Sequence, residues 1–261
     1  GHVPLSMRAR DVAPQVQSLE HLRNYEMDCV SEPDIWLAAR QQQLANTAKE
    51  PGNVLRTRLH ELQRLTAISN EDPEVCAEMT KALKATVSVP TLRMNSMDLH
   101  IPFMREDFDR AMQLIPASVQ QDWGAARTAL LASEEPVDTT FAEWSLRRTG
   151  ELHAAGVPIA AGTDTPIGWS IPGYSLHTEL EQYVEVGMTP LEALHSATIT
   201  PAEYFGLEDE MGQLKVGFIA DAVLLTGNPL ENIIDTRRVQ AVINRGALLT
   251  RAQLDSLITK R

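Results

Sequence analysis

Three residues of this chain combine a type and a position that could do chemistry. His2 follows a glycine in "GHVP", His21 closes "SLEH", and Asp164 closes "GVPIAAGTD". Imidazole and carboxylate groups are what zinc and related divalent ions take from proteins. A carboxylate that touches such an ion and its water can also accept that water's proton, as metal-assisted hydrolysis requires. Each residue has a plain alternative. A core histidine more often satisfies a hydrogen bond than binds an ion, and an aspartate after a strand can simply cap the next turn. What separates the readings is whether the elements beneath the three deliver them to one place.

The element under Asp164 is the clearest. Val157 to Ala161 are small or β-branched and read as a buried strand of a parallel sheet. Gly162 permits a tight backbone and Pro166 stops the ladder, so Asp164 falls at the C-terminal mouth of that strand, where α/β folds place their chemistry. "GHVP" reads as the tail of another strand and "QSLEHL" as a further one. "TVSVPTL", Thr86 to Leu92, reads as a strand turned out of the sheet by Pro90. Parallel neighbours of this kind would carry His2, His21 and Asp164 to one mouth of a barrel.

The intervening text is helical. About residues 31–85 read as a polar helical insert, with Ile35, Leu37 and Ala38 on one apolar face and Leu59, Leu62 and Leu65 at helical spacing on another. "SNEDPEVCAEMTKAL" opens with N-terminal helix signals. Residues from about 102 to 155 return to helix, with Trp123 and Trp144 packing in them. After Asp164, "GWSIPGYS" is a loop suited to lining a pocket. In "LHTELEQ", His177 and Glu181 share a helix face beside a core stripe of Leu176, Leu180 and Val184. Trp169, Tyr174 and His177 are the expected substrate-binding residues; the plain alternative makes Trp169 and Tyr174 loop anchors on the rim. Thr189-Pro190-Leu191-Glu192 spells a capping box with proline at the first helical position, and Thr200-Pro201-Ala202-Glu203 repeats it. "GQLKVGFIADAVLLTG" and "VQAVINRGALL" are short β-rich segments with glycine turns.

Bulk properties bound the rest. The 261 residues are 43% hydrophobic, enough for a substantial core. A formal net charge of −12 argues against nucleic acid or an anionic membrane as partner, and no apolar run approaches the length of a membrane span. Cys29 and Cys76 stand in unrelated contexts, so they read as idle thiols rather than as a disulfide framework. The lack of a leader favours the cytoplasm only if the N-terminus is natural.

In these same residues the chain resembles the C-terminal part of an amidohydrolase-superfamily enzyme, in the imidazolonepropionase-like and Xaa-Pro dipeptidase-like subgroup. "GHVP", "SLEHL", "VPTL" and "AGTD" are similar to the ends of its fifth to eighth barrel strands. The similarity continues through "SLHTELEQYVEVGMTPLEALHSATITPAEYFGL" and "GQLKVGFIADAVLLTGNPLENI" to "VINRG". The resemblance implies an α/β fold: the C-terminal half of a metal-dependent (β/α)8 barrel over 1–206, helical insert included, then strands of a small attached β-sandwich and a C-terminal helix over 207–261. It also implies that His2 and His21 ligate one ion, and that Asp164 ligates another and acts as general base. Asp221, in "GFIADAVLL", would be structural. The cofactor would be a divalent metal such as zinc, as one or two ions. A metal-activated hydroxide would then cleave the C–N bond of a small amide, such as a dipeptide or N-acyl amino acid. The same site could open a lactone or cyclic amide or cleave an ester. A non-catalytic fragment serving as an interaction surface is the alternative outside the enzymes.

The chain departs from that family in lacking the HxH pair of the first strand and the lysine of the fourth. It is therefore expected to be a fragment whose partner is the missing N-terminal half of the barrel, inactive by itself. Barrels of this kind commonly form homo-oligomers, and no patch in the sequence marks an interface. The insert could serve as a lid or an oligomer contact.

Overall fold

The structure is a computed structural model describing residues 1–46 and 50–259. The insert residues at 47–49 and the chain end at 260–261 lie outside the described residues. Helices run, in order, α1 (Ala9–Val12), α2 (Tyr25–Asp28), α3 (Pro33–Asn46), α4 (Gly52–Ser69), α5 (Pro73–Leu83), α6 (Leu92–Asn95) and α7 (Phe108–Met112). They continue with α8 (Ala117–Ala132), α9 (Thr140–Ala154), α10 (Tyr174–Glu185), α11 (Pro190–Ser196), α12 (Ile199–Tyr204) and α13 (Arg251–Thr259). Strands are β1 (Ser18–Glu20), β2 (Val87–Val89), β3 (Ala222–Leu225), β4 (Val239–Asn244) and β5 (Ala247–Thr250). None of the described helices is long and apolar enough to cross a membrane. The chain forms two compact units, Gly1–Thr91 with Asp138–Ala160, and Leu92–Val137 with Ala161–Arg261.

The first unit is organised by parallel pairing. β1 pairs with β2 in register Ser18↔Val87 to Glu20↔Val89. Gly1 extends the ladder on one side, its amine donating to Ser18 O at 3.0 Å and its carbonyl accepting from Glu20 N at 3.0 Å. On the other side Ser88 bridges Ile159, with Ser88 N to Pro158 O at 2.8 Å and Ala160 N to Ser88 O at 3.0 Å. Gly1, β1, β2 and Ile159 therefore stand side by side in chain order, as successive βα units dictate. Val157, Ile159 and Ala160 are buried, as expected of a parallel core strand, although the ladder there shrinks to one bridge. Pro90 ends β2 at Val89, since it has no N–H to continue the ladder.

α3 and α4 form, but their expected apolar faces are not the buried ones. Ile35 is 61% and Leu62 56% exposed, and Leu65 and Ala38 are also on the surface. Leu59 is buried, and the one buried residue of α3 is Arg40. On the inward side of α3, Gln63 Oε1, Asn24 Oδ1 and Leu59 O accept from the Arg40 guanidinium. At the foot of the insert, Val30 bridges Glu71, Asp72 N donates to Cys29 O, and Ser31 Oγ donates to Asp72 Oδ2. Cys29 and Cys76 are joined there by a disulfide, contrary to the reading of idle thiols. Contexts 47 residues apart in sequence do not reveal that the two ends of an insert close on each other. Asp72 caps α5, accepting from Glu74 N and Val75 N with Pro73 at the first position.

The second unit buries Phe103, Phe108, Ala111, Ile115 and Ile171 together, with Trp123, Trp169 and Tyr174 packed against them. In the first unit Trp144 is fully buried. The capping box at Thr189 and Glu192 forms as spelled. Its repeat does not: α12 begins at Ile199 after Thr198, so Thr200 lies inside the helix and its hydroxyl does not cap it. β3, β4 and β5 make an antiparallel sheet in which Asn244 pairs Ala247 across Arg245 and Gly246. Both turn residues have positive φ, 49° and 83°, the requirement of a tight two-residue hairpin. Asp221 Oδ1 accepts from Arg245 N at 2.6 Å and holds that turn, the structural role expected of it.

Candidate metal centre

Parallel pairing decides where the histidines go. Because Gly1 and Glu20 occupy neighbouring rungs, the residues that follow them, His2 and His21, leave the same end of adjacent strands. Their rings meet edge to face with centroids 4.7 Å apart. His21 is buried, whereas His2 is exposed. β2 contributes Thr91 at the same end: Thr91 Oγ1 lies 2.9 Å from His21 Nδ1 and 3.5 Å from Val89 O. With its hydrogen directed to Val89 O, the hydroxyl accepts from Nδ1–H, and Nε2 becomes the lone-pair nitrogen of that ring. In that sense of the bond His21 would turn Nε2 outward, the arrangement metal-ligating histidines adopt, and a pair of imidazoles fits a divalent ion.

The backbone under His21 is unusual. His21, Leu22 and Asn24 all have positive φ, at 67°, 53° and 61°. L-residues avoid this region, and a cluster of such residues persists only where its surroundings over-determine it. Asn24 is buried and its side-chain amide donates to Pro4 O at 2.9 Å and Met7 O at 3.4 Å. One amide thus ties the turn after β1 to the segment that follows His2.

Asp164 belongs to the second unit. It is exposed, has φ of 50°, and precedes a cis Thr165–Pro166 bond. Ile167 N donates to Asp164 O and Ser170 Oγ to Thr163 O, so the loop folds back on itself. Arg93, just past the start of α6, donates to Ile167 O at 3.4 Å and Gly168 O at 3.0 Å, and its charge acts on Asp164. Burial pushes that guanidinium down to about 10, against the opposing pull of Glu179. Glu179 is fully buried on α10 and accepts from Leu92 N and Arg93 N, each at 2.8 Å. Its burial raises the carboxyl to about 7. Sequence reasoning missed Arg93 and Glu179. The arginine next to "VPTL" was the available signal, whereas nothing in "LHTELEQ" marks the first of its two acids as the buried one.

The expected substrate-binding residues are held by protein partners. Tyr174 donates its hydroxyl to Asp107 Oδ1 at 2.5 Å, with the Arg237 guanidinium over its ring. Burial, then that hydrogen bond, raises the phenol to about 12. Trp169 packs its edge on Phe103 and donates to Trp123 O at 3.4 Å. His177 Nδ1 lies 3.0 Å from Thr236 Oγ1, and burial and then Arg237 depress the imidazole to about 4, keeping it neutral. Glu181 is gripped by Arg105 at 2.8 Å and Arg237 at 2.6 Å. The contacts of Tyr174, His177 and Glu181 tie α10 to Asp107, Thr236, Arg105 and Arg237.

Among the described residues, Cys29, Glu71 and Cys76 form a trio with ligand atoms within 4.8 Å of one another. It is not a metal centre as it stands. The sulfurs are bonded to each other, and Glu71 is held by Trp144, Arg147 and Arg148. The neighbouring cleft, about 540 Å³ and lined in part by Lys81, Arg147 and Glu151, carries ion pairs that already neutralise both arginines.

Parallel strands with histidines at one end, an aspartate loop and a small antiparallel sheet define an α/β fold of the metal-dependent hydrolase type. The structure of bottromycin amidohydrolase matches it with a TM-score of 0.64 at 18% identity, covering 98% of this chain and 51% of that one. A putative prolidase from Bifidobacterium longum matches with a TM-score of 0.50 at 20% identity, covering 97% and 63%. Both show the fold alone. In sequence, residues 145–249 are similar to the amidohydrolase family. It is 46% identical to ochratoxinase of Aspergillus niger over 81 residues, 30% of this chain and 16% of that protein. It is 40% identical to imidazolonepropionase of Symbiobacterium thermophilum over 81 residues, 31% and 18% of the two chains. The matched stretches thus span less than a fifth of those relatives.

Proposed function

We propose that this chain is the C-terminal part of a metal-dependent hydrolase that cleaves the C–N bond of a small amide, such as a dipeptide or N-acyl amino acid. The observation that carries this reading is the His2–His21 pair, delivered edge to face by adjacent parallel strands and oriented by Thr91. His2 and His21 would hold a divalent ion such as zinc through ring nitrogens. Asp164 would contribute a carboxylate oxygen and accept a proton from water, aided by its exposure and a loop fixed by Arg93. A bound divalent ion would supply Lewis acidity, lowering the pKa of water and polarising the scissile carbonyl. The remaining ligands that the family uses would come from a further segment of the protein. Names among the relatives, ochratoxinase, imidazolonepropionase and amidohydrolase, agree with hydrolysis at an activated carbonyl and leave the substrate open.

The test is hydrolysis of a dipeptide and N-acyl amino acid panel by the full natural chain. A chelator should abolish turnover, zinc should restore it, and Asp164→Asn should lower kcat by about 10²- to 10⁴-fold, the span of a general base. Full activity in Asp164→Asn sinks the assigned role, and turnover that persists without any metal sinks the mechanism.

A further inference from the structure

Arg40 is the only buried residue of α3, and its charge points at the candidate centre's support. Its Nη1 donates to Asn24 Oδ1 at 2.6 Å, its Nε to Gln63 Oε1 at 2.7 Å, and its Nη2 to Leu59 O at 3.4 Å. Gln63 and Leu59 belong to α4, so both insert helices grip one guanidinium and present it to one amide. That amide is the group that bridges the turn under His21 to Pro4 and Met7 beyond His2. α3 also reaches the segment after His2 directly. Gln41 Nε2 donates to Ser6 O at 3.1 Å, and Asp34 pairs with Arg8 at 2.9 Å.

We propose that the α3–α4 insert is a positioning module for the candidate centre, with Arg40 and Asn24 as the positioning residues that hold His2 and His21 in register. Three arguments carry it. A buried guanidinium is costly to desolvate, and this one spends its donors on Asn24, Gln63 and Leu59 O, so the bonds it makes point to a geometric task. The turn it holds is left-handed at His21, Leu22 and Asn24, a conformation that relaxes unless the surroundings insist on it. The insert is also closed at its foot by the Cys29–Cys76 bond and the Val30–Glu71 bridge, so its base is rooted one helix away from the turn. Neither a lid nor an oligomer contact requires a buried arginine aimed inward. The inference rests on the metal-centre reading of the two histidines.

The experiment uses the full natural chain and two readouts. Zinc affinity is measured by competition with a chromophoric chelator, and histidine Cε1–Hε1 NMR correlations are recorded without metal. Arg40→Met and Asn24→Gly are expected to weaken zinc binding 10- to 100-fold, the usual effect of losing an outer-shell partner. The same variants should shift the His2 and His21 signals and leave those of His153 and His195 in place. Arg40→Lys, which keeps a donor toward Asn24, should recover most of the loss. Unchanged affinity with unmoved His2 and His21 signals in both variants overturns the proposal. If Arg40→Met does not fold, Asn24→Gly decides, because glycine keeps the left-handed turn and removes only the bridge. If the unsubstituted chain binds no zinc, the metal-centre reading fails separately, and the NMR shifts alone then confirm or overturn the positioning role.

Discussion

The two regions that present the candidate ligands are each held by a buried arginine, yet they are built in opposite ways. In the second unit Arg93 grips backbone carbonyls of the loop that carries Asp164, and Glu179 on α10 clamps the backbone at Arg93. In the first unit Arg40 grips a side-chain amide, and its companions are another amide and a carbonyl, all reached from an insert. One end is secured by ionisable groups within the α/β framework. The other is secured by a guanidinium that donates only to neutral acceptors, on an insert whose closure is covalent. The difference teaches which condition should disturb which end: pH for the aspartate loop, reduction for the histidines.

The largest expected effect is at Glu179. Glu179→Ala leaves two buried N–H groups without their acceptor and removes the carboxylate whose charge offsets the burial of Arg93, so it should cost about 3–5 kcal/mol in urea unfolding. A cost below about 1 kcal/mol would erase the claim that this end is electrostatically clamped. The pH dependence sharpens the point. A carboxyl raised to about 7 when folded contributes stability that is complete below its ordinary pKa near 4.5 and is lost as pH climbs to 7. Glu179→Gln should flatten that fall. His177, depressed to about 4, works in the reverse direction, losing stability as pH drops from about 6.5. His177→Gln should therefore remove the acid-side loss and leave the Glu179 slope.

Next in size is the disulfide. Cys29→Ser with Cys76→Ser should lower stability by about 2–4 kcal/mol, given the 47-residue separation it spans. Thermal unfolding with and without reductant measures this, and equal curves would break the contrast between the two ends. Smaller again is the turn. Asn24→Ala should cost about 1–2 kcal/mol, more than Asn24→Gly, since only alanine resists φ near 61°. Equal losses would mean the turn is not strained. The smallest is Thr189→Ala, at about 1 kcal/mol, a capping loss that should leave zinc affinity unchanged.

Much of the framework was legible in the sequence because its signals are local. Pro90 had to end β2, Asp72 and Pro73 had to open α5, and Thr189 with Glu192 had to cap α11, each through groups within four residues of one another. The positions of His2 and His21 after strand ends were legible for the same reason. The apolar spacing of α3 and α4 misled, because periodicity reports which residues share a face and is silent on whether that face is turned inward. The repeated Thr-Pro-x-Glu pattern misled at Thr200, where α12 had already begun at Ile199.

What the sequence by itself determined, then, is where β2 ends, how α5 and α11 are capped, and which residues follow the strand ends. These follow from side-chain pattern and backbone chemistry over a few positions. Only the tertiary structure decided that Arg40 faces inward, that Asn24 bridges two strand ends, that Cys29 meets Cys76, and that Glu179 rather than Glu181 is the buried acid. Each of those is a long-range pairing, and its stability depends on a partner 16 to 87 residues away. No local propensity carries that information, because burial and hydrogen-bond satisfaction are properties of the assembled unit.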